Sequence, residues 1–249
     1  MHNIFQSGRS LTAVAALAVL SLPAVAQAQD YAKFQLGVLA PEANDAYWLP
    51  PGYPGSDPRV NFGLGDLDKV GFASAAVGRS FQNGLRADLE LLVTGKADAT
   101  GDCSSASDGT PCSGHADISD ATVRTSALLA NVSYEFMQGA KVQPYVTAGA
   151  GVAWNKLSDW TRSNPAATRP ERTFDGDTQQ NFAWTAGVGA SYEIAAAGRP
   201  MFLDVSWRYF DFGEVEGGTN PQDTAAAATK GLNFDLTGHA LAMGLRIPF

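Results

Sequence analysis

The chain ends in TGHALAMGLRIPF, a segment in which large apolar side chains alternate strictly with small or charged ones. A β-strand directs successive side chains to opposite faces, so this alternation predicts a two-faced strand. In a water-soluble protein the apolar face packs on a core and the polar face meets water. In a membrane barrel the apolar face meets lipid and the polar face lines the lumen. The terminal segment by itself is compatible with both arrangements.

The same period of two recurs along the chain and predicts about eight strands. The clearest is 181–194, where Phe182, Trp184, Val188 and Tyr192 share one face and glycine, threonine and serine share the other. The predicted strands are 31–40, 69–81, 84–95, 121–136, 142–154, 181–194, 200–212 and 235–249.

The connections between these strands alternate in length. Short links at 82–84, 138–141 and 195–199 alternate with long polar segments near 41–68, 96–120, 155–180 and 213–234. This asymmetry is typical of transmembrane barrels, which have short periplasmic turns at one end and long extracellular loops at the other. Both termini of the barrel domain then fall on the short-turn side, as an even number of strands requires.

The charged residues decide which face points inward. A charge facing lipid at mid-depth costs about 2–4 kcal/mol, whereas buried charges are tolerated when they are paired. Turning the large apolar side chains inward would crowd Trp184, Tyr192, Trp207 and Tyr209 into an interior barely wide enough for its own side chains. We therefore predict an all-β fold, an eight-stranded antiparallel up-and-down transmembrane β-barrel with an ionic interior. The predicted lumen ion-pair network consists of five acids and four bases: Lys33, Arg86, Asp88, Glu90, Glu135, Glu193, Asp204, Arg208 and Arg246.

Aromatic residues support this orientation, because they cluster on the outward face near both strand ends. Such clusters resemble the two aromatic belts at the membrane–water interfaces. Near the short turns they are Tyr134, Phe136, Tyr192 and Phe249, and near the long loops they are Trp154, Phe182 and Trp184.

The N-terminus predicts export. Arg9 precedes an apolar stretch over 11–22, and Pro23 and the small-x-small pattern of 26–28 follow it. This is the organisation of a secretory signal peptide, and the apolar stretch is short for a transmembrane helix. We predict a signal peptide over 1–28, cleaved after Ala28, and a mature barrel domain over 29–249.

Cys103 and Cys112 are the two cysteines, and they lie in a segment rich in glycine, serine and aspartate. In an exported chain such a pair predicts one disulfide. A metal site with His115 and Asp117 is the alternative, but the spacing matches no familiar zinc pattern. We predict neither a metal nor a cofactor. The formal net charge of −8 argues against a nucleic-acid partner, whose phosphates would be repelled.

Several motifs resemble the small outer-membrane barrels of the opacity-protein and porin-like surface antigen superfamily, which is related in fold to the OmpA transmembrane domain. They are NGLRADLEL, VQPYVTAGAGVAW, FAWTAGVGASYEI, LDVSWRYFDFG and LAMGLRIPF. The resemblance covers nearly all of the mature chain except 41–67 and 213–234. Unlike full-length OmpA, the predicted architecture has no peptidoglycan-binding domain after Phe249.

The resemblance implies roles for two groups of residues. In these proteins the terminal aromatic and the alternating apolar residues before it are the signal read by the barrel-assembly machinery. Barrels of the OmpA type also carry ion pairs that plug the lumen, and Glu90 and Arg208 are the equivalents here. The implied assembly signal is Leu241, Met243, Leu245, Ile247 and Phe249.

We therefore expect a non-enzymatic, integral protein of the bacterial outer membrane with a plugged lumen and extracellular loops that recognise a surface ligand. A small passive ion channel is the alternative. An enzyme that modifies lipid A is a further one, although His239 has no serine beside it to complete a catalytic dyad.

Outer-membrane lipid and lipopolysaccharide are the expected surroundings. Cations in and beside the third long segment could bind lipopolysaccharide phosphates, or could belong to a solvated loop of mixed charge. They are Arg124, Lys156, Arg162, Arg169 and Arg172.

Overall fold

The computed structural model describes residues 28–51, 59–106, 117–164, 170–196 and 199–249, and this part of the chain contains thirteen strands. The strands are β1 (Gln29–Leu49), β2 (Val60–Gly63), β3 (Gly65–Asp66), β4 (Val70–Ser80), β5 (Leu85–Thr94), β6 (Ala97–Ala106), β7 (Ile118–Glu135), β8 (Val142–Leu157), β9 (Trp160–Ser163), β10 (Arg172–Phe174), β11 (Asp177–Ala196), β12 (Arg199–Glu216) and β13 (Lys230–Pro248). No helix in the described ranges is long and apolar enough to cross a membrane.

Eight of the strands form a closed ring in the order β1, β4, β5, β7, β8, β11, β12 and β13. Each is antiparallel to its neighbours, and β13 closes the ring by pairing with β1 from Tyr31 opposite Pro248 to Leu49 opposite Lys230. The other five strands, β2, β3, β6, β9 and β10, lie at one end of this ring, which we call the extended end. The structure thus confirms the predicted all-β, eight-stranded antiparallel up-and-down barrel.

Six of the eight ring strands are longer than predicted at the end of the barrel that carries the long connections, whereas β4 and β5 lie within one residue of their predicted bounds. The segments predicted as polar loops contain β2, β3, β6, β9 and β10, and the ring strands themselves extend into them. The prediction was wrong there because glycine, aspartate and asparagine mask a continuing alternation. In β12 and β13, for example, Phe212, Val215, Leu232 and Phe234 all point inward and are fully buried.

The opposite end has tight turns. Gly84 has a φ of 83° in the turn between β4 and β5, and its N–H donates to the Phe81 carbonyl at 3.2 Å. Glycine suits this position because other residues rarely adopt such a φ. The N–H of Phe249 donates to the carbonyl of Asp30 at 2.9 Å, so the two ends of the ring meet at the short-turn end.

The outer face of the ring is apolar. Leu36, Leu91, Leu241 and Met243 are among the large hydrophobic residues that it exposes. The aromatic residues predicted for both belts lie on this face, including Trp154 and Phe182 near the extended end and Tyr134 and Phe249 near the short turns. Tyr192 follows Phe182 by ten residues on β11. At about 3.3 Å per residue and a strand tilt of ~40°, this spacing is close to the ~25 Å height of the apolar band in such barrels.

The interior has two layers of different chemistry. Toward the short turns lies an ionic layer, formed by the charged side chains of β1, β5, β7, β12 and β13. Toward the extended end lies an apolar layer, formed by a continuous cluster that includes Leu39, Leu92, Leu129, Phe210 and Phe234. The charged residues predicted for the interior therefore lie in its short-turn half. The other half is apolar, because on the strands that carry these charges the inward residues change from charged to apolar toward the extended end.

Candidate functional site

The ionic layer is the candidate functional site, and β5 supplies three of its members. The alternation of β5 directs Arg86, Asp88 and Glu90 inward, and all three are buried. Strands β7, β12 and β13 contribute from the other walls. Because buried charges are stable when they are paired and hydrogen-bonded, the contacts among these residues determine what the layer can do.

One ion pair crosses the lumen from β5 to β12, which are four strands apart in the ring of eight. Arg208 Nη1 donates to Glu90 Oε2 at 2.7 Å, and both side chains are almost inaccessible to solvent. Arg208 also donates from Nη2 to Asn131 Oδ1 at 3.1 Å and from Nε to the Thr185 hydroxyl at 3.2 Å. Its guanidinium lies 4.6 Å from the centre of the Phe210 ring, where the apolar layer begins.

A second connection crosses from β7 to β13, also four strands apart. Glu135 Oε1 accepts from Arg246 Nη2 at 2.8 Å and forms an ion pair with Arg86 Nη1 at 2.7 Å. Arg246 Nε reaches Asp204 Oδ2 at 3.4 Å. The Ser191 hydroxyl lies 2.5 Å from Asp204 Oδ1 and 3.2 Å from Glu135 Oε1, so it links both carboxylates.

Asp88 joins the network through three neighbours. The Tyr31 hydroxyl donates to Asp88 Oδ2 at 2.7 Å, and Lys33 Nζ lies 3.4 Å from the same oxygen. The amide nitrogen of Asn131 donates both to Asp88 Oδ1 at 2.8 Å and to Glu90 Oε2 at 2.9 Å. Asn131 therefore connects the Asp88 contacts with the Glu90–Arg208 pair.

The structure brings together eight of the nine residues predicted for the network, four cations and four carboxylates. The ninth, Glu193, lies on the inward face of β11 but is exposed, and it forms no ion pair within the described ranges. The physical reason is its position two residues beyond Ser191, close to the short turn, where its side chain is exposed at the mouth of the barrel.

Sequence reasoning missed the neutral members of the layer. Tyr31, Asn131, Thr185 and Ser191 hydrogen-bond to the charged residues, and all four are buried. The alternation of each strand predicts that these side chains point inward. What the sequence did not reveal is which inward polar residues lie at the same height on neighbouring strands.

The apolar layer ends in an aromatic cluster beneath the extended end. The Trp160 and Phe174 rings stack at 4.3 Å, and Trp48 packs against both in edge-on geometry at 5.6 and 5.8 Å. The indole N–H of Trp160 donates to the Gly218 carbonyl at 2.9 Å. This cluster joins β1, β9 and β10 to the chain after β12, so it fixes the extension to the ring.

Two of the cations proposed as loop ligands for phosphate are engaged elsewhere. Arg162 is buried and lies 3.7 Å from Asp117, while Arg172 lies 3.9 Å from Asp223. Arg169 lies outside the described residues. Arg124 and Lys156 are exposed on the outer face.

The cysteine segment is described in part. Cys103 lies in β6, whereas Cys112 and His115 lie outside the described residues, so the disulfide remains a prediction. Asp117 is buried and accepts from Asn164 Nδ2 at 2.8 Å, so its carboxylate is engaged inside the protein rather than exposed at the surface. The described ranges contain no group of three or more potential metal ligands.

The terminal strand presents its apolar residues to the membrane. The five residues of the implied assembly signal all lie on the exposed outer face of β13, or directly after it: Leu241, Met243, Leu245, Ile247 and Phe249. On the same strand His239 stacks against Trp207 at 5.3 Å and contacts Tyr209 at 5.2 Å, which places its imidazole in an aromatic patch.

Comparison with known proteins agrees with this arrangement. Residues 12–234 match the family described as outer membrane protein beta-barrel domain. The outer membrane protein PagN of Salmonella typhimurium is 31% identical over 135 residues, which cover 54% of this chain and 53% of PagN, so the match spans about half of that relative.

Among solved structures, OprG from Pseudomonas aeruginosa is 12% identical with a TM-score of 0.48, and the match covers 89% of this chain and 96% of OprG. Neisserial surface protein A is 15% identical with a TM-score of 0.46, over 90% of this chain and all of that one. The family match spans most of the chain and coincides with the closed ring, the lipid-facing apolar belt and the charged lumen. The chain therefore belongs to the outer membrane protein beta-barrel domain family and is an integral protein of the bacterial outer membrane.

Proposed function

We propose that this protein is a non-enzymatic outer-membrane barrel whose lumen is closed and whose extracellular extension performs surface recognition. The observation that carries the proposal is the Glu90–Arg208 ion pair. It connects opposite walls of the barrel, with 2.7 Å between Arg208 Nη1 and Glu90 Oε2. Behind it lies the apolar layer, through which a hydrated ion would have to pass without polar partners.

The balance of charge in the ionic layer supports closure. Four cations and four carboxylates neutralise one another, so the layer offers no excess charge that would attract a permeating ion of either sign. The pairs are also held by neutral donors such as Asn131, which restrains them from separating. A passive channel would need both the ionic and the apolar layer to open.

The extension supports a role in recognition. The strands β2, β6, β9 and β10 pair with one another or with the ring. The rings of Trp48 on β1, Trp160 on β9 and Phe174 on β10 pack together and connect these strands to the ring. A rigid scaffold that carries loops at its tip is a common basis for binding. We propose that the loops at this end contact a ligand outside the cell.

The proposal also assigns roles to the N-terminal segment, the C-terminal strand and His239. Residues 1–28 act as a cleaved signal peptide, and β1 begins at Gln29, directly after the predicted cleavage site. The C-terminal strand is read by the barrel-assembly machinery. His239 has an interfacial role rather than a catalytic one, because its imidazole stacks on Trp207 and contacts Tyr209 on the membrane face.

Planar-bilayer recording tests the closed lumen. Refolded protein, with insertion verified by its altered gel mobility, should give no stable conductance steps. Replacing Arg208 by alanine should leave the barrel closed, because the apolar layer remains. Combining that change with Leu129→Ser and Phe210→Ser should produce conductance. A large, stable conductance of the unmodified protein would contradict the proposal and favour the passive channel.

A further inference from the structure

Three cations form a row across neighbouring strands on the outer face of the barrel. Arg124 on β7 lies directly opposite Lys156 on β8. In the pairing of β6 with β7, Ala97 opposes Val123, so the preceding residue Lys96 lies beside Arg124. All three side chains are exposed, and they line one shallow pocket together with Thr122, Ser158 and Asp159.

The row is electrostatically unfavourable as it stands. Like charges directly opposite each other on paired strands destabilise a sheet. Within the described ranges none of the three cations has a carboxylate at ion-pair distance. Asp159, which lines the same pocket, accepts from the Gly176 N–H at 2.9 Å and from Gln222 Nε2 at 2.9 Å. An anion seated between the cations would remove the repulsion.

The row lies at the height of lipid headgroups. Trp154 precedes Lys156 by two residues on the same face of β8, which is about 7 Å along a strand. Its indole N–H donates to Gln180 Oε1 at 3.3 Å, and tryptophan side chains of this kind sit at the membrane–water interface. The cations therefore begin where the apolar band ends, on the side that carries the extracellular extension.

The basic row is confined to one sector of the barrel. On the far wall, β12 and β13 present Glu214, Glu216 and Asp235 at the extended end. Lys230 Nζ donates to Glu214 Oε1 at 2.7 Å and lies 3.8 Å from Glu216 Oε2, so it offsets part of this negative charge. At the height of the row, an anionic headgroup would thus meet three cations on the β6–β7–β8 sector. Asp98 and Asp120 lie further out on β6 and β7, beyond this height.

We propose that Lys96, Arg124 and Lys156 form a binding site for a phosphate group of lipid A, the phosphorylated glycolipid anchor of lipopolysaccharide. The inference deepens the proposed function and depends on its assignment of the extended end to the cell exterior. Arg124 Nε donates to the Thr94 carbonyl at 3.2 Å, which holds the guanidinium in place and leaves its terminal nitrogens for the ligand. Charge-assisted bonds from arginine to phosphate are strong and directional. The hydroxyls of Thr122 and Ser158, 3.1 Å apart, border the same pocket.

A binding measurement on refolded protein in detergent micelles tests the site. The probes are bisphosphorylated lipid A, the same lipid after phosphatase treatment, and inorganic phosphate. The test variant is Arg124→Gln with Lys156→Gln, and the control is Lys141→Gln, which removes an exposed cation at the short-turn end. We expect the test variant to bind bisphosphorylated lipid A at least about tenfold more weakly, since it loses two charged donors, and the control to match the unmodified protein.

Three results would overturn the proposal. The test variant could retain the affinity of the unmodified protein, or the dephosphorylated lipid could bind as well as the phosphorylated one, which would indicate adsorption of acyl chains. Inorganic phosphate could bind as tightly as lipid A, which would indicate a free anion as the ligand. Neither the probes nor the variants involve the lumen, so a failure here is separate from a failure of the closed barrel in the conductance experiment.

A stability measurement gives a second readout. Without lipid A, Lys156→Gln should raise the unfolding midpoint, because it removes a like-charge pair. With saturating lipid A it should lower the midpoint relative to the unmodified protein, because it removes a contact with the ligand. A change in the same direction under both conditions would show that Lys156 has only a structural role.

Discussion

Arg208 shows how a single residue can join several strands across the lumen. Its three donor nitrogens bond to residues of three other strands, namely Glu90, Asn131 and Thr185. Glu90 is completely inaccessible to solvent. Removing one partner of a buried pair leaves the other charge without compensation, and this penalty exceeds what the pair contributes over an uncharged replacement.

Replacing Arg208 by alanine should therefore destabilise the barrel by about 3–5 kcal/mol. The double variant Glu90→Gln with Arg208→Met should recover most of this loss, since no unpaired charge remains. Urea unfolding in detergent micelles, followed by tryptophan fluorescence, measures both. Arg79→Ala is the control, because the Arg79–Asp30 pair is exposed and its loss should have little measurable effect. An equal loss of stability in the single and double variants would contradict the argument.

Single residues also show what sequence alone could predict. The alternation of β5 predicts that Arg86, Asp88 and Glu90 share one face, and the family resemblance pairs Glu90 with Arg208. Asn131 could be placed inward but not identified as the bridge between Asp88 and Glu90, because that depends on the relative height of β5 and β7. The alternation places Glu193 on the inward face, where the structure has it. Its side chain is nevertheless exposed because it lies close to the short turn, and alternation alone does not define where a turn begins.

At the scale of the element, β12 shows where the inward residues change from charged and polar to aromatic. Its inward residues are Asp204, Ser206 and Arg208, and then Phe210 and Phe212. Beyond Arg208 both faces of the strand contain aromatic residues, so hydrophobicity alone no longer separates inside from outside. This is why the ionic half of the interior was predicted and the apolar half was missed.

Neighbouring leucines on β7 test the apolar layer. Leu129 is fully buried in it, whereas Leu128 is part of the outward face. Leu129→Ala should destabilise the barrel by about 2–5 kcal/mol, since it leaves a cavity in a packed interior. Leu128→Ala should cost clearly less, because lipid or detergent chains fill the space. Equilibrium unfolding of the two variants in the same micelles measures the difference, and equal losses would contradict the buried apolar layer.

At the scale of the whole molecule, closure of the ring depends on its first and last strands. The β1–β13 pairing runs over most of both strands with two register shifts, and it removes the unpaired edges that a membrane does not tolerate. Phe249 ends this strand with its N–H bonded to the Asp30 carbonyl, while its side chain remains exposed toward the membrane. The backbone contact closes the ring, and the exposed side chain is free to take part in the recognition that we propose for assembly.

Deleting Phe249 should therefore reduce the assembled protein in the outer membrane to a minor fraction, whereas replacing Phe182 by alanine should not. The two phenylalanines are matched in exposure, 71% and 68%, and both lie on the membrane face at an interface. They differ in position, since Phe182 belongs to the outer belt of β11 and Phe249 to the terminal strand. The measurement is the fraction of protein in the outer-membrane pellet that migrates faster on a detergent gel before boiling than after it. If the two variants assemble equally well, the side chain of Phe249 acts as one more belt aromatic, and the terminal alternation is explained by its contact with lipid.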